Sequence, residues 1–267
     1  MSTHSSRWTE HETNCSKVCL LNNDQQDHRV QVCTEPQKTV IHDRNFLSRV
    51  ITGDESWLYD NEPKAKQMSS QWKTPSSPQP KKKMRQVCSN IKSLLIILFD
   101  ILGIVHNEFV PPGQTVNGKF HWEILRLGEN VRCKWPQMSK IGDCSLHSGN
   151  VPAHTSLVVR EFLTKNNMTT VPHPAYSSDL APWDFYLFPK MKIWLKGQCF
   201  VSIEEIQAEL QQVLNTLTQA DINECFQKWQ NRWDRCIQAQ GAYFEGDSGN
   251  KDLNYSCYYH QILINFG

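Results

Sequence analysis

The chain has 267 residues, enough for one large domain or two small ones, and its formal net charge of +1 offers no global field to steer it to nucleic acid or a membrane. Nine tryptophans and a hydrophobic share of 39% exclude a disordered chain and call for a packed core. The ten cysteines include no CxxC pair. Cys15 and Cys19 come nearest to ligand spacing, but no second pair follows, so reduced thiols fit better than a zinc site or a disulfide framework.

The polar start, MSTHSSRWTEHETN, lacks the pattern of a signal peptide. Residues 1–45 show no sustained apolar period and read as poorly ordered, with a short helix near 24–34. FLSRVITGDESWLYD (46–60) is rich in β-branched and aromatic residues and predicts a strand. Residues 61–90, with prolines, serines and the run PKKKMR (80–85), read as a long exposed loop. The most apolar run, IKSLLIILFDILGIV (91–105), is interrupted by Asp100 and Gly103. A membrane span needs about 20 apolar residues, so two buried strands fit better: SLLIILFD (93–100) and GIVHNEFV (103–110), a hairpin across Ile101-Leu102. Helical spacing then runs over 116–135. A weak strand near 143–148 leads into HSGNVPAH, followed by a helix to Asn166-Asn167 and a short strand in TTVPHP. Two amphipathic helices close the pattern, 202–217 with Ser202 and Glu205 as a capping box, and 220–241 ending at Gly241. The order predicts a mixed α/β sheet with helices on its faces.

The acids carry the chemistry. Asp54 follows Ile51-Thr52-Gly53 in the first strand, and Asp184 sits among Trp183, Phe185, Tyr186 and Phe188. An acid in such company is costly to bury without a metal or a cationic partner. Asp179 reads as a turn or helix-start residue.

ITGDESW, PPGQTVNG, NVPAHTS, YSSDLAPWDFYLFP and RWDRCIQAQGAYFEGD together resemble the catalytic domain of mariner-type DNA transposases of the Tc1/mariner superfamily. The resemblance runs from about Phe46 to Asp247, which implies a catalytic domain over 46–247 and a tail over 248–267. It implies an RNase H-like fold with a mixed five-stranded sheet, and three aspartates that hold two Mg²⁺ or Mn²⁺ ions for DNA cleavage and strand transfer. Hard ions prefer oxygen ligands, and two of them about 3.5–4 Å apart activate the attacking oxygen and stabilise the leaving one. Asp54 matches the first aspartate and Asp184 the third. The second belongs to a motif usually read HDNAPAH, 35 positions before the third. That position is Gly149, so the second aspartate is missing.

No neighbour replaces it. Asp143, six residues upstream, would lie roughly 20 Å away along a strand; Asn150 is neutral and matches the family's own Asn; Glu55 should face away from Asp54. A nearly inactive domain with at most one weakly bound metal is expected. Ser178 also replaces the usual proline of YSPDL, and the family's helix-turn-helix pair has no counterpart in residues 1–20, which fits a truncated and mutated copy. Lys81, Lys82, Lys83 and Arg85 match the family's clamp-like insertion, which pairs two subunits and their DNA ends. They suit weak, salt-sensitive phosphate binding, a nuclear localisation signal or a solvated loop. His147, His154 and His173 read as supporting or surface side chains. Three functional readings stand: a transposase-derived nuclease-type domain, a non-catalytic DNA-binding or dimerising nuclear module, and a translated pseudogene.

Overall fold

The computed structural model describes residues 21–59, 92–127, 144–195, 198 and 200–244. The basic run at Lys81–Arg85, Asp143 and the tail after 247 lie outside them. The strands are β1 (Val50–Tyr59), β2 (Lys92–Asp100), β3 (Gly103–Val110), β4 (Ser145–His147) and β5 (Thr169–Val171). The helices are α1 (Asn23–His42), α2 (Gly118–Leu127), α3 (Leu157–Lys165), α4 (Phe188–Leu195), α5 (Ile203–Thr216) and α6 (Gln219–Gln238).

The five strands form one sheet in the order β3-β2-β1-β4-β5. β1, β2 and β3 pair antiparallel, while β4 runs parallel to both β1 and β5. This is the mixed, helix-flanked sheet that the sequence predicts. β2 is the unbroken apolar run because both its faces are covered: Leu95, Ile97 and Phe99 pack with α1, α4, α5 and α6, and Leu94, Ile96 and Leu98 pack with α2 and α3. The hairpin turns across Ile101-Leu102 as read, and Asp100 Oδ1 accepts hydrogen bonds from the Leu102 and Gly103 amides at 2.7 and 3.1 Å. The resulting Asx-type turn holds the reversal.

The first strand begins later than its sequence suggests, because Phe46–Arg49 form a 3₁₀ turn before β1. The larger difference is at the N-terminal side. Where a short helix within loose chain was expected, α1 runs 20 residues and continues through Pro36. Proline removes one helix hydrogen bond, and tertiary packing offsets the loss: Val32, Cys33 and Pro36 are buried in α1, and α1 packs against α6.

Arg29 anchors this packing. It is fully buried, gives two hydrogen bonds to Asp179 at 2.8 and 2.6 Å, one to Ser177 Oγ at 2.7 Å, and one from Nε to the Gly241 carbonyl at 2.8 Å. Gly241 has φ 80°, and a Cβ there would fall 2.1 Å from the Gln26 carbonyl oxygen, so only glycine lets α1 approach so closely. Asp179 is thus more than a turn residue: it neutralises a buried guanidinium.

At α5, Ser202 Oγ accepts from the Glu205 amide at 3.3 Å, but Glu205 Oε2 accepts from the Val201 amide rather than from Ser202, so the expected capping box is half formed. A full box caps α6 instead, between Thr218 and Asp221. Among the described residues no helix is long and apolar enough to cross a membrane.

Candidate metal centre at the sheet edge

Even-numbered residues of β1 face the α1/α6 side of the sheet, as Val50 and Leu58 show, and odd-numbered ones face α2 and α3, as Ile51 and Trp57 show. Asp54 and Glu55 therefore begin on opposite faces, as alternation requires. Gly53 lets β1 lie close on β2: a Cβ there would sit 2.0 Å from the Ile97 carbonyl oxygen. β4 ends level with Thr52, whose partner is His147, so the turn that follows passes over Asp54. A Cβ built on Gly149 would stand 3.1 Å from Asp54 Oδ2 and 3.7 Å from Oδ1. Position 149, which the family resemblance marks by motif and spacing, is thus in direct contact with Asp54.

Asp184 comes from the other side, in a five-residue π-helical turn, Trp183–Leu187, that packs against β1 and runs into α4. Such turns break helical regularity and recur at functional sites. Asp184 is 9% exposed. Burial first, then the charge of Glu55, push the Asp54 carboxyl well above the usual range; the Asp184 charge adds to this and His154 opposes it. A divalent cation would reverse that balance.

Glu55 is not isolated from this group. His154 Nε2 lies 3.0 Å from both Glu55 carboxylate oxygens and 3.8 Å from Asp54 Oδ1. Its Nδ1 donates to the Gly149 carbonyl at 3.1 Å. Burial would lower the His154 pKa, but Glu55 and then Asp54 more than offset it and raise it to about 9. For Glu55 burial works upward, yet His154 and His121 hold the carboxyl well below its ordinary value. The chain thus spends one imidazolium on two adjacent carboxylates.

The other two histidines of the sequence reading do something else. His147 shares a 2.9 Å hydrogen bond with Thr52 Oγ1 and packs against the Trp183 and Trp229 rings, with centroids 4.7 and 4.6 Å away. Burial, then His173, hold it well below the usual imidazole range. His173 packs 5.3 Å from His147 and is pushed down to about 3 by burial and then Arg29. Its carbonyl accepts from Asn150 Nδ2, which ties the 147–154 turn to the chain after β5. Both rings brace the turn; His147 is buried and His173 half-buried.

Sequence reasoning missed three contributors. His121 opens α2 and stacks on His154 with centroids 4.2 Å apart. Glu55 was set aside by strand alternation, and Arg29 lay in a segment without apolar period. None carries a local signal, because each acts through a partner at least 30 positions away in sequence.

Comparison with known proteins fits this geometry. A family model described as "Transposase (partial DDE domain)" matches residues 62–140. The chain is 30% identical to the Mariner Mos1 transposase of Drosophila mauritiana over 242 residues, which are 90% of the chain and 66% of that protein. It is 25% identical over 244 residues to the human histone-lysine N-methyltransferase SETMAR, covering 90% of the chain and 33% of that protein. The chain therefore spans about two thirds of one curated relative and one third of the other. Among solved structures, a pre-cleavage Mos1 transpososome superposes with a TM-score of 0.76 at 29% identity over 92% of this chain and 68% of that one. The Mos1 catalytic domain superposes with a TM-score of 0.69 at 27% identity over 85% of this chain and 98% of that one. That catalytic domain has also been solved with Mn and with Mg. The sheet has the RNase H-like strand arrangement of that domain, nearly the whole of which this chain covers, and the chain belongs to the mariner-type transposases through their catalytic domain.

Proposed function

We propose that this chain is a mariner transposase derivative whose ancestral chemistry, metal-dependent DNA cleavage and strand transfer, is largely lost. One observation carries the reading: position 149, in contact with Asp54, is a glycine that offers no carboxylate. Asp54 and Asp184 lie close enough for the charge of one to raise the carboxyl pKa of the other, and as oxygen donors they suit one Mg²⁺ or Mn²⁺ ion. They do not fit two. The Gly149 carbonyl already accepts from His154, and Asn150, tied through its amide nitrogen to the His173 carbonyl, has only a neutral oxygen in place of a carboxylate. With the donor set one short, no cleavage step follows from these residues. Loss of one ion's charge stabilisation costs on the order of several kcal/mol in the transition state, a factor of thousands in rate.

The DNA contact is a salt-sensitive hold on the phosphate backbone through Lys81, Lys82, Lys83 and Arg85. A second subunit and a nuclear location complete the proposal. The relatives supply the support: Mos1 forms a transpososome and paired-end complexes.

Nicking of supercoiled plasmid in Mg²⁺ or Mn²⁺ tests the catalytic part. The wild-type chain should leave the plasmid intact. Gly149→Asp should recover nicking, because the added Cβ meets only the end of the Asp54 side chain, which can yield a few tenths of an ångström. Clear nicking by wild type that disappears in Asp54→Ala would overturn the proposal.

A further inference from the structure

We propose that Glu55, His121 and His154 form a second metal site, on the α2 side of β1, that takes a borderline divalent ion of the zinc class. One ligand atom from each lies within 4.8 Å of the others. His154 Nε2 and His121 Nδ1 stand 3.0 and 3.4 Å from Glu55 Oε1. A tetrahedral ion with bonds of about 2.0–2.1 Å needs ligand atoms about 3.3–3.4 Å apart, and both approaches to Glu55 lie within a few tenths of an ångström of that spacing.

The state of His121 points to a ligand independently of that clustering. The residue is 2% exposed, and neither of its ring nitrogens makes a hydrogen bond. The 3.4 Å approach to Glu55 lacks hydrogen-bond geometry. Burying an imidazole with both nitrogens unsatisfied is costly, and a metal bond at Nδ1 would satisfy one of them. Burial also keeps this imidazole below its ordinary pKa, in the form that carries a lone pair.

His154 is arranged as ligand histidines are. Its Nδ1 donates to the Gly149 carbonyl, which fixes the ring and leaves Nε2 facing Glu55, where an ion would take the place of the Nε2 proton of the imidazolium. The three residues come from β1, from the opening of α2 and from the turn after β4, so the sheet and the helix packed on it hold them in place. Two imidazoles with one carboxylate favour Zn²⁺, Co²⁺ or Ni²⁺ over Mg²⁺, which prefers an all-oxygen shell. Three protein ligands leave a fourth position for water. The site takes none of its three ligands from the Asp54–Asp184 pair, although His154 Nε2 also lies 3.8 Å from Asp54 Oδ1, and its occupancy can be read whether or not that pair cleaves DNA.

The full chain, stripped with EDTA, is titrated with Zn²⁺ by calorimetry and with Co²⁺ by visible absorption. One ion per chain should bind, excess Mg²⁺ should not displace it, and Zn²⁺ should raise the unfolding midpoint in a concentration-dependent way. The Co²⁺ complex should show the intense d–d bands of a four-coordinate nitrogen and oxygen site. His121→Phe and Glu55→Gln, which keep the volume of each side chain, should each weaken binding by about tenfold or more. If one of them fails to fold, the other still decides. Failure to bind Zn²⁺, affinity unchanged in both variants, or a sulfur-to-cobalt charge-transfer band that assigns the ion to cysteines would overturn the proposal. Plasmid nicking is not a readout here, so the result stands apart from the fate of Gly149.

Discussion

Two half-buried acid neighbourhoods in this molecule are balanced in different ways. Asp179 meets a guanidinium that grips both its oxygens, and the same Arg29 reaches Ser177 and the Gly241 carbonyl, so charge and hydrogen bonds are satisfied within the chain. Asp54 and Glu55, with Asp184 close by, share the single imidazolium of His154. The first arrangement ties α1 to the rest of the fold. The second leaves negative charge concentrated where a cation from solution can bind. A buried carboxylate is therefore informative by the number and permanence of its cationic partners, more than by its burial.

The largest expected effect tests the self-contained side. Arg29→Met keeps much of the volume but leaves the Asp179 carboxylate, the Ser177 hydroxyl and the Gly241 carbonyl without the guanidinium that bonds all three. Breaking a buried pair from one side costs about 3–5 kcal/mol. A urea titration followed by tryptophan fluorescence should show the midpoint fall by that equivalent. A loss under about 1 kcal/mol would mean that α1 is held by apolar contact alone.

The opposite sign is expected at the sheet edge. Asp54→Asn removes one of the clustered negative charges while keeping shape, and the amide can still accept from the Glu55 backbone N–H, now at 2.9 Å from Oδ1. In EDTA, thermal unfolding should shift upward by the equivalent of about 1–2 kcal/mol, a familiar cost of keeping a functional site. At about 2–4 °C per kcal/mol for a chain of this size class, calorimetry resolves such a shift. A lower midpoint would show that His154 alone compensates both carboxylates, and the contrast between the two neighbourhoods would fail.

Legibility in the sequence follows the same division. β2 and the hairpin were readable because continuous burial writes a continuous apolar run, and α5 and α6 because one buried face writes a 3.6-residue period. α1 was not, since its hold on the fold is Arg29, whose partners are 148 to 212 positions away. At the site, Asp54, Gly149 and Asp184 could be found by motif and spacing. The grouping of Glu55, His121 and His154 could not, because a strand, a helix and a turn bring them together only in three dimensions. The π-helical turn under Asp184 was equally hidden, since its sequence reads as the start of an ordinary helix.

The smallest expected effect calibrates the comparison. Lys228 and Glu224 form an i,i+4 pair on α6 at 3.1 Å, with side chains 37% and 54% exposed. The ion pair resembles Arg29–Asp179 on paper, yet water already solvates both ends and salt screens them. Lys228→Ala should change stability by less than about 0.5 kcal/mol, and raising the salt should shrink even that. Glu224 keeps its 2.7 Å hydrogen bond from the Tyr186 hydroxyl in the variant, so what is read is the lost pair together with the Lys228 ammonium 5.2 Å over the Tyr186 ring. A loss comparable to that of Arg29→Met would show that ion pairing as such stabilises this fold. The expected result shows instead that desolvation is what makes the Arg29 pair costly to break.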